Sequence, residues 1–221
     1  YSVGVIGRIP YIAMEFIDGE PLSEVLMERG PLPWQEALDI GGQVADALAC
    51  AHDHMIIHRD IKPANILFDK EGRVHVTDFG IAKVLNASTQ LTVDGSRLGT
   101  PQYMCPERCQ NKEITASSDI YSLGVVMFQC IAGRLPYETK SSVELIQRIA
   151  FEAPVRLRKF VPDAPEPVER LLAHMLEKSP ADRPKDARAL HALIDRVRSG
   201  KSLDDKTEGM AGALAAFRDS L

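Results

Sequence analysis

Residues 119–132 are apolar on nearly every side of a helical wheel, and this stretch limits the fold more than any other. A surface helix keeps a polar face, whereas a helix without one sits at the centre of a core and must be wrapped by other elements. Ser117 or Ser118 can cap its start, and Gly133 can end it. The wrapping elements are legible as helices. Ala37, Ile40, Val44, Ala45, Leu48 and His52 share one face of a long helix that Pro33 can open, and Leu22, Val25 and Leu26 mark a shorter one before it. Ser141-Ser142-Val143-Glu144 reads as a capping box, and two further helices follow over 166–178 and 184–198.

Strands are few. Tyr11-Ile12-Ala13-Met14-Glu15-Phe16-Ile17 is an apolar run ending at Asp18-Gly19, which predicts a buried strand leading into a turn. Residues 66–68 and 74–76 predict two short strands joined by the turn residues 69–72. The fold class is therefore α+β and mainly helical. Residues 81–100 lack periodicity and are rich in small polar side chains, as in a long functional surface loop. After Ser199-Gly200-Lys201-Ser202, the spacing of Met210, Leu214, Phe217 and Leu221 predicts a linker and a short amphipathic helix over 199–221.

Composition removes several function classes. The net charge is -5, from 26 Lys plus Arg against 31 Asp plus Glu, so there is no basic excess to neutralise a phosphate backbone and nucleic acid is not expected as a partner. Cys50, Cys105, Cys109 and Cys130 form no CxxC pair and have no histidine at zinc-finger spacing, which favours reduced thiols in a cytoplasmic domain. No signal peptide opens the chain, and the apolar stretch near 123–128 is too short to span a bilayer. Membrane contact is expected only through segments outside this chain.

The chemistry lies in His58-Arg59-Asp60-Ile61-Lys62-Pro63-Ala64-Asn65 and, thirteen residues past the Asn, Asp78-Phe79-Gly80. Phosphoryl transfer asks little covalent chemistry of a protein; it needs positioned metal ions and a carboxylate that orients the incoming hydroxyl. Asp60 supplies that carboxylate. Asn65 and Asp78 offer hard oxygens of the kind Mg2+ prefers, and Gly80 allows the chain to turn sharply behind Asp78. Lys62, two residues from Asp60, brings positive charge to where the transferring group gathers negative charge. Each motif alone is weak; in this order and spacing they carry a strong signal.

These motifs resemble those of the eukaryotic-like protein kinases, most closely the bacterial serine/threonine kinases of the Hanks type, over residues 1–198. His58-Arg59-Asp60 is similar to the catalytic loop, with Lys62-Pro63 as in the serine/threonine branch. Asp78-Phe79-Gly80 resembles the magnesium-binding motif. Met104-Cys105-Pro106-Glu107 resembles the Ala-Pro-Glu motif with Cys in place of Ala.

The resemblance implies further roles. Thr100, after Gly99, is the threonine that reaches the catalytic Asp and Lys. Asp119 holds the backbone of the catalytic loop, and Arg183 pairs with Glu107. Met14 is the gatekeeper, Glu15 and Ile17 belong to the hinge that binds adenine, and Leu67 is the apolar floor under the base. Among the hydroxyls of the 81–100 loop, Thr92 and then Thr89 are the phosphorylation candidates, with Arg59 placed to pair with the phosphate; Ser88 and Ser96 lie in the same loop. The implied cofactors are ATP and Mg2+. The implied partners are proteins bearing Ser or Thr and, through self-association, a second kinase.

The nucleotide-clamping half of such a site is not legible. Gly4 and Gly7 form no G-x-G-x-x-G, and Lys62 is the first lysine of the sequence. Residues 1–18 are thus expected to be a remnant of the N-terminal lobe strands with the hinge, and 19–198 the C-terminal lobe of a truncated serine/threonine kinase that is weak or inactive in isolation. An apolar patch around Met14, His58 and Phe79 should then be exposed. The alternative is a kinase-like pseudoenzyme acting as a binding or scaffolding module, but that role has no physical need for Asp60, Lys62, Asn65 and Asp78 together.

Overall fold

The computed structural model describes residues 2–7, 9–79, 101–201 and 203. Gly80, the loop hydroxyls Ser88, Thr89, Thr92 and Ser96, the Gly99-Thr100 pair and the stripe of Met210, Leu214, Phe217 and Leu221 lie outside the described residues.

The chain opens with an antiparallel pair, β1 (Ser2–Ile6) and β2 (Ile9–Ala13), in which Gly4 lies opposite Tyr11. The expected buried strand over 11–17 is corrected here. Strand geometry ends at Ala13, and Tyr11, Met14 and Phe16 are exposed, Phe16 by 86%. A two-stranded ribbon has no second layer to bury a face.

A second sheet has the order β3-β4-β5, built from β3 (Gly19–Pro21), β4 (Ile66–Asp69) and β5 (Val74–Val76). The two strands predicted over 66–68 and 74–76 form and pair, with Ile66 opposite Val76 and Leu67 opposite His75. β3, which sets Pro21 opposite Leu67, was not legible because three residues show no period. The β4–β5 turn is stapled by Asp69, whose Oδ1 accepts from the N–H groups of Glu71 and Arg73 at 3.0 and 2.8 Å and whose Oδ2 faces His75 Nε2 at 2.8 Å. The His75 hydrogen bond, with Arg73, holds this carboxyl well below its usual range.

The helices are α1 (Leu22–Arg29), α2 (Trp34–Asp53), the short α3 (Pro106–Cys109), α4 (Ala116–Ala132), α5 (Ser142–Phe151), α6 (Glu166–Met175) and α7 (Ala187–Arg198). α4 is the core helix its composition demanded: Ile120, Tyr121, Leu123 and Val126 have no exposed surface. Burying side chains of this size is worth about 1.5–3 kcal/mol each. Glycines let its neighbours approach. A Cβ on Gly41 of α2 would sit 2.6 Å from Met127 Sδ, and one on Gly124 would sit 2.9 Å from Met175 Cβ of α6. α7 runs back along α2, with ion pairs between Arg188 and Asp53 at one end and Arg198 and Asp39 at the other.

Helix ends differ in detail from expectation. α4 starts at Ala116 because Thr115, not Ser117 or Ser118, is the capping residue; Ser118 Oγ accepts the Thr115 N–H at 3.1 Å from three residues inside. Gly133 ends the helix in the left-handed region at φ 67°, as predicted. Ser141 caps α5, yet Glu144 turns to the Thr139 hydroxyl and Arg148 instead of closing a capping box. α7 starts at Ala187, with Asp186 Oδ1 accepting from Ala189 N–H at 2.8 Å, so Arg183 and Pro184 form a buried loop before it. No helix among the described residues is long and apolar enough to cross a membrane.

Candidate active site

The segment between α2 and β4 is irregular, so its backbone polar groups need partners from elsewhere. Asp119, 1% exposed near the start of α4, provides two: Oδ2 accepts from His58 N–H at 2.9 Å and Oδ1 from Arg59 N–H at 2.8 Å. His52 Nε2, on the last turn of α2, donates to the same Oδ2 at 2.8 Å. Arg59 is thereby held at φ 67°, a conformation most side chains avoid. The Arg59–Asp60 peptide unit is bonded on both edges. Its oxygen accepts from Arg108 Nη1 at 2.9 Å, and its N–H donates to His58 Nδ1 at 3.2 Å.

Because His58 Nδ1 accepts, Nε2 carries the proton and donates to Thr77 O at 2.9 Å. The ring is fully buried, and burial lowers its pKa against the opposing pull of the Thr77 bond and the nearby carboxylates, so it stays neutral. The expectation that His58 would be exposed is thus corrected: its face is closed by protein, with the Phe79 ring 4.7 Å away. Met14 does carry the predicted exposure, at 50%.

From this clamp the chain delivers three side chains to one place. Lys62 Nζ donates to Asp60 Oδ2 at 2.9 Å, both side chains being 27% exposed. Pro63 then opens a tight turn, Pro63–Asn65, that carries Asn65 back so that its Nδ2 donates to Asp60 O at 2.8 Å. Asn65 is 4% exposed, and with its nitrogen committed, its remaining polar atom is a hard oxygen. Thr77 N–H donates to Asn65 O at 2.9 Å, which sets Asp78 one residue beyond that contact, exposed and at φ 57°. The donor set of one amide oxygen and one carboxylate fits Mg2+.

Support comes from the helical side. Glu107 and Arg183 form a buried two-point ion pair at 2.8 Å per bond. Arg183 also donates to the carbonyls of Glu177, Ser117 and Lys178, so all five of its N–H groups are satisfied. Burial would raise the Glu107 carboxyl, but its bonds from Arg183 and Ser118 prevail and lower it. Leu67 is half-buried on β4, Ile17 half-buried, and Glu15 exposed. Arg59 is exposed beside Asp60. The site roles of His52, Thr77 and Arg108 were not read from the sequence, which placed His52 only on the packing face of α2; all three act through backbone groups or through Asp119, which no residue spacing announces.

Comparison with known proteins identifies the family. The protein kinase domain family matches residues 8–193. The chain belongs to the protein kinase domain family. The match takes in Asp60, Asn65, Asp78, Asp119 and the Glu107–Arg183 pair. The chain is 37% identical over 226 residues to the serine/threonine-protein kinase PrkC of Bacillus subtilis, covering 99% of itself and 35% of PrkC. It is 41% identical over 191 residues to the serine/threonine-protein kinase PknA of Corynebacterium glutamicum, covering 86% and 40%. With PknB of Mycobacterium leprae, also named a serine/threonine-protein kinase, identity is 35% over 195 residues, covering 88% and 31%. The chain thus spans well under half the length of these relatives.

Proposed function

We propose that this kinase transfers the γ-phosphoryl group of ATP to Ser and Thr hydroxyls of proteins. The observation that carries the reading is the single hydrogen-bonded group of Asp60, Lys62 and Asn65, on a backbone clamped by Asp119. The Asp60 carboxylate aligns the acceptor hydroxyl and takes its proton. Lys62 keeps that carboxylate oriented and offsets negative charge gathering beside it. Asn65 and Asp78 would hold Mg2+, which neutralises phosphate charge when bound.

The remaining assignments follow the family. Thr100 joins Asp60 and Lys62 on the acceptor side. Met14, Glu15 and Ile17 border adenine, with Leu67 beneath it. Thr92, then Thr89, are the phosphorylation sites that Arg59 would read. Residues 1–18 serve as smaller-lobe strands and hinge, 19–198 as the larger lobe and 199–221 as linker and short helix. The site works in the cytoplasm on protein substrates, a second kinase molecule among them.

The test is transfer from radiolabelled ATP to a general protein acceptor by the full-length protein, followed by phosphoamino acid analysis. Label on serine and threonine that disappears with chelator supports the reading. Nucleotide binding without transfer contradicts it.

A further inference from the structure

The strongest unexplained contact near the site is made by Arg108. It sits on α3, beside Glu107, which the Arg183 pair locks into the helical body. From there Arg108 Nη1 reaches back 49 residues in sequence to the Arg59 carbonyl at 2.9 Å. That carbonyl belongs to the peptide unit directly before Asp60, and Arg59 has the left-handed φ of 67°. That φ sets the preceding His58–Arg59 peptide, whose N–H Asp119 holds, whereas the Arg59–Asp60 peptide turns about ψ of Arg59 and φ of Asp60 unless its own two edges are bonded. Such a rotation would swing the Asp60 carboxylate. His58 Nδ1 restrains the N–H edge of the unit at 3.2 Å, at the long limit of a hydrogen bond. The carbonyl edge has the shorter bond, to a guanidinium, and charged donors make the stronger hydrogen bonds.

We infer that Arg108 is a positioning residue for Asp60: it pins the peptide that aims the carboxylate and ties the orientation of that carboxylate to the placement of α3. The inference rests on the proposed transfer reaction for its catalytic consequence, but the clamp itself is a property of the backbone. Arg108 also borders, with Asp60, Lys62, Tyr103 and Met104, the small cavity between the catalytic loop and the segment leading into α3. Its position therefore lets any displacement of α3 be felt at Asp60.

The test uses Arg108→Met, which keeps the stem and removes the donors, and Arg108→Lys, which restores one charged donor. Both are made in the full-length protein. A misaimed base lowers kcat by about 10- to 100-fold while the KM values for ATP and acceptor change less than about threefold, and Arg108→Lys recovers most of the loss. Amide exchange of residues 58–62 should accelerate about tenfold or more in Arg108→Met, with little change in α4. Unchanged kcat together with unchanged exchange overturns the inference. So does a rise in KM at constant kcat, which would make Arg108 a substrate contact. If Asp60→Asn proves as active as the unmodified protein, the functional reading fails on its own, and exchange at 58–62 still decides the clamp.

Discussion

The buried Asp119 carboxylate and Arg59 are joined by a part-buried hydrogen bond of 2.8 Å, from the Arg59 N–H to Oδ1, while the other carboxylate oxygen serves His58 and His52. Both oxygens act as acceptors, so an amide cannot replace the carboxylate without turning a donor toward a donor. Asp119→Asn is expected to cost about 2–3 kcal/mol, the scale of an orphaned buried polar group, and to lower transfer at least about tenfold. Urea unfolding and steady-state rates on the same preparation check both.

The Glu107–Arg183 pair predicts an asymmetry. Arg183→Met strands a buried carboxylate and three carbonyls, whereas Glu107→Gln keeps an acceptor for Arg183 Nη1 and Ser118 and turns a donor only toward Arg183 Nη2, which still has the Lys178 carbonyl. The first should destabilise by about 3–5 kcal/mol and the second by clearly less. Glu107 has a lowered folded pKa, so its stabilisation is present above the ordinary value of 4.5 and fades as pH falls through the folded value. Acid unfolding of Glu107→Gln should lack that component.

How much of this was visible in the residues varies with the kind of interaction. The all-apolar α4, the α2 face and the β4–β5 pair were legible because burial imposes a period on side chains. The meeting of Asp60, Lys62 and Asn65 was legible because the metal and proton chemistry proposed for them restricts residue type. Arg108, Thr77 and β3 were not, since they work through backbone groups that carry no residue code. The exposed Phe16 misled for the opposite reason: an apolar run reports what a chain could bury, not what lies above it.

His58 sets a pH window. Its folded pKa lies below the ordinary 6.5 through burial, so the unfolded chain binds the extra proton first and stability falls as pH drops from about 6.5 toward the folded value. His58→Gln removes that titration. The urea midpoint of the unmodified protein should therefore fall more between pH 7.5 and 5.5 than that of His58→Gln. Parallel slopes would show that His58 is not buried neutral.

Thiol reactivity should follow burial. Cys105 and Cys130 are buried, and desolvation pushes both thiols up to about 12; Cys109 reaches about 11 for the same leading reason. Cys50 is exposed. A maleimide at neutral pH should label Cys50 rapidly in the folded protein and reach the other three only on unfolding, as peptide mapping by mass spectrometry would report.

The central claim is that Asp60 is the base of a phosphoryl-transfer site, and Asp60→Asn tests it most directly. The substitution keeps size and leaves the Asp60 carbonyl available to Asn65, so folding and ATP affinity should be nearly unchanged. Transfer to a protein acceptor should drop by about a hundredfold or more, the lower range for losing a positioned general base. Transfer by Asp60→Asn at the rate of the unmodified protein would contradict the account.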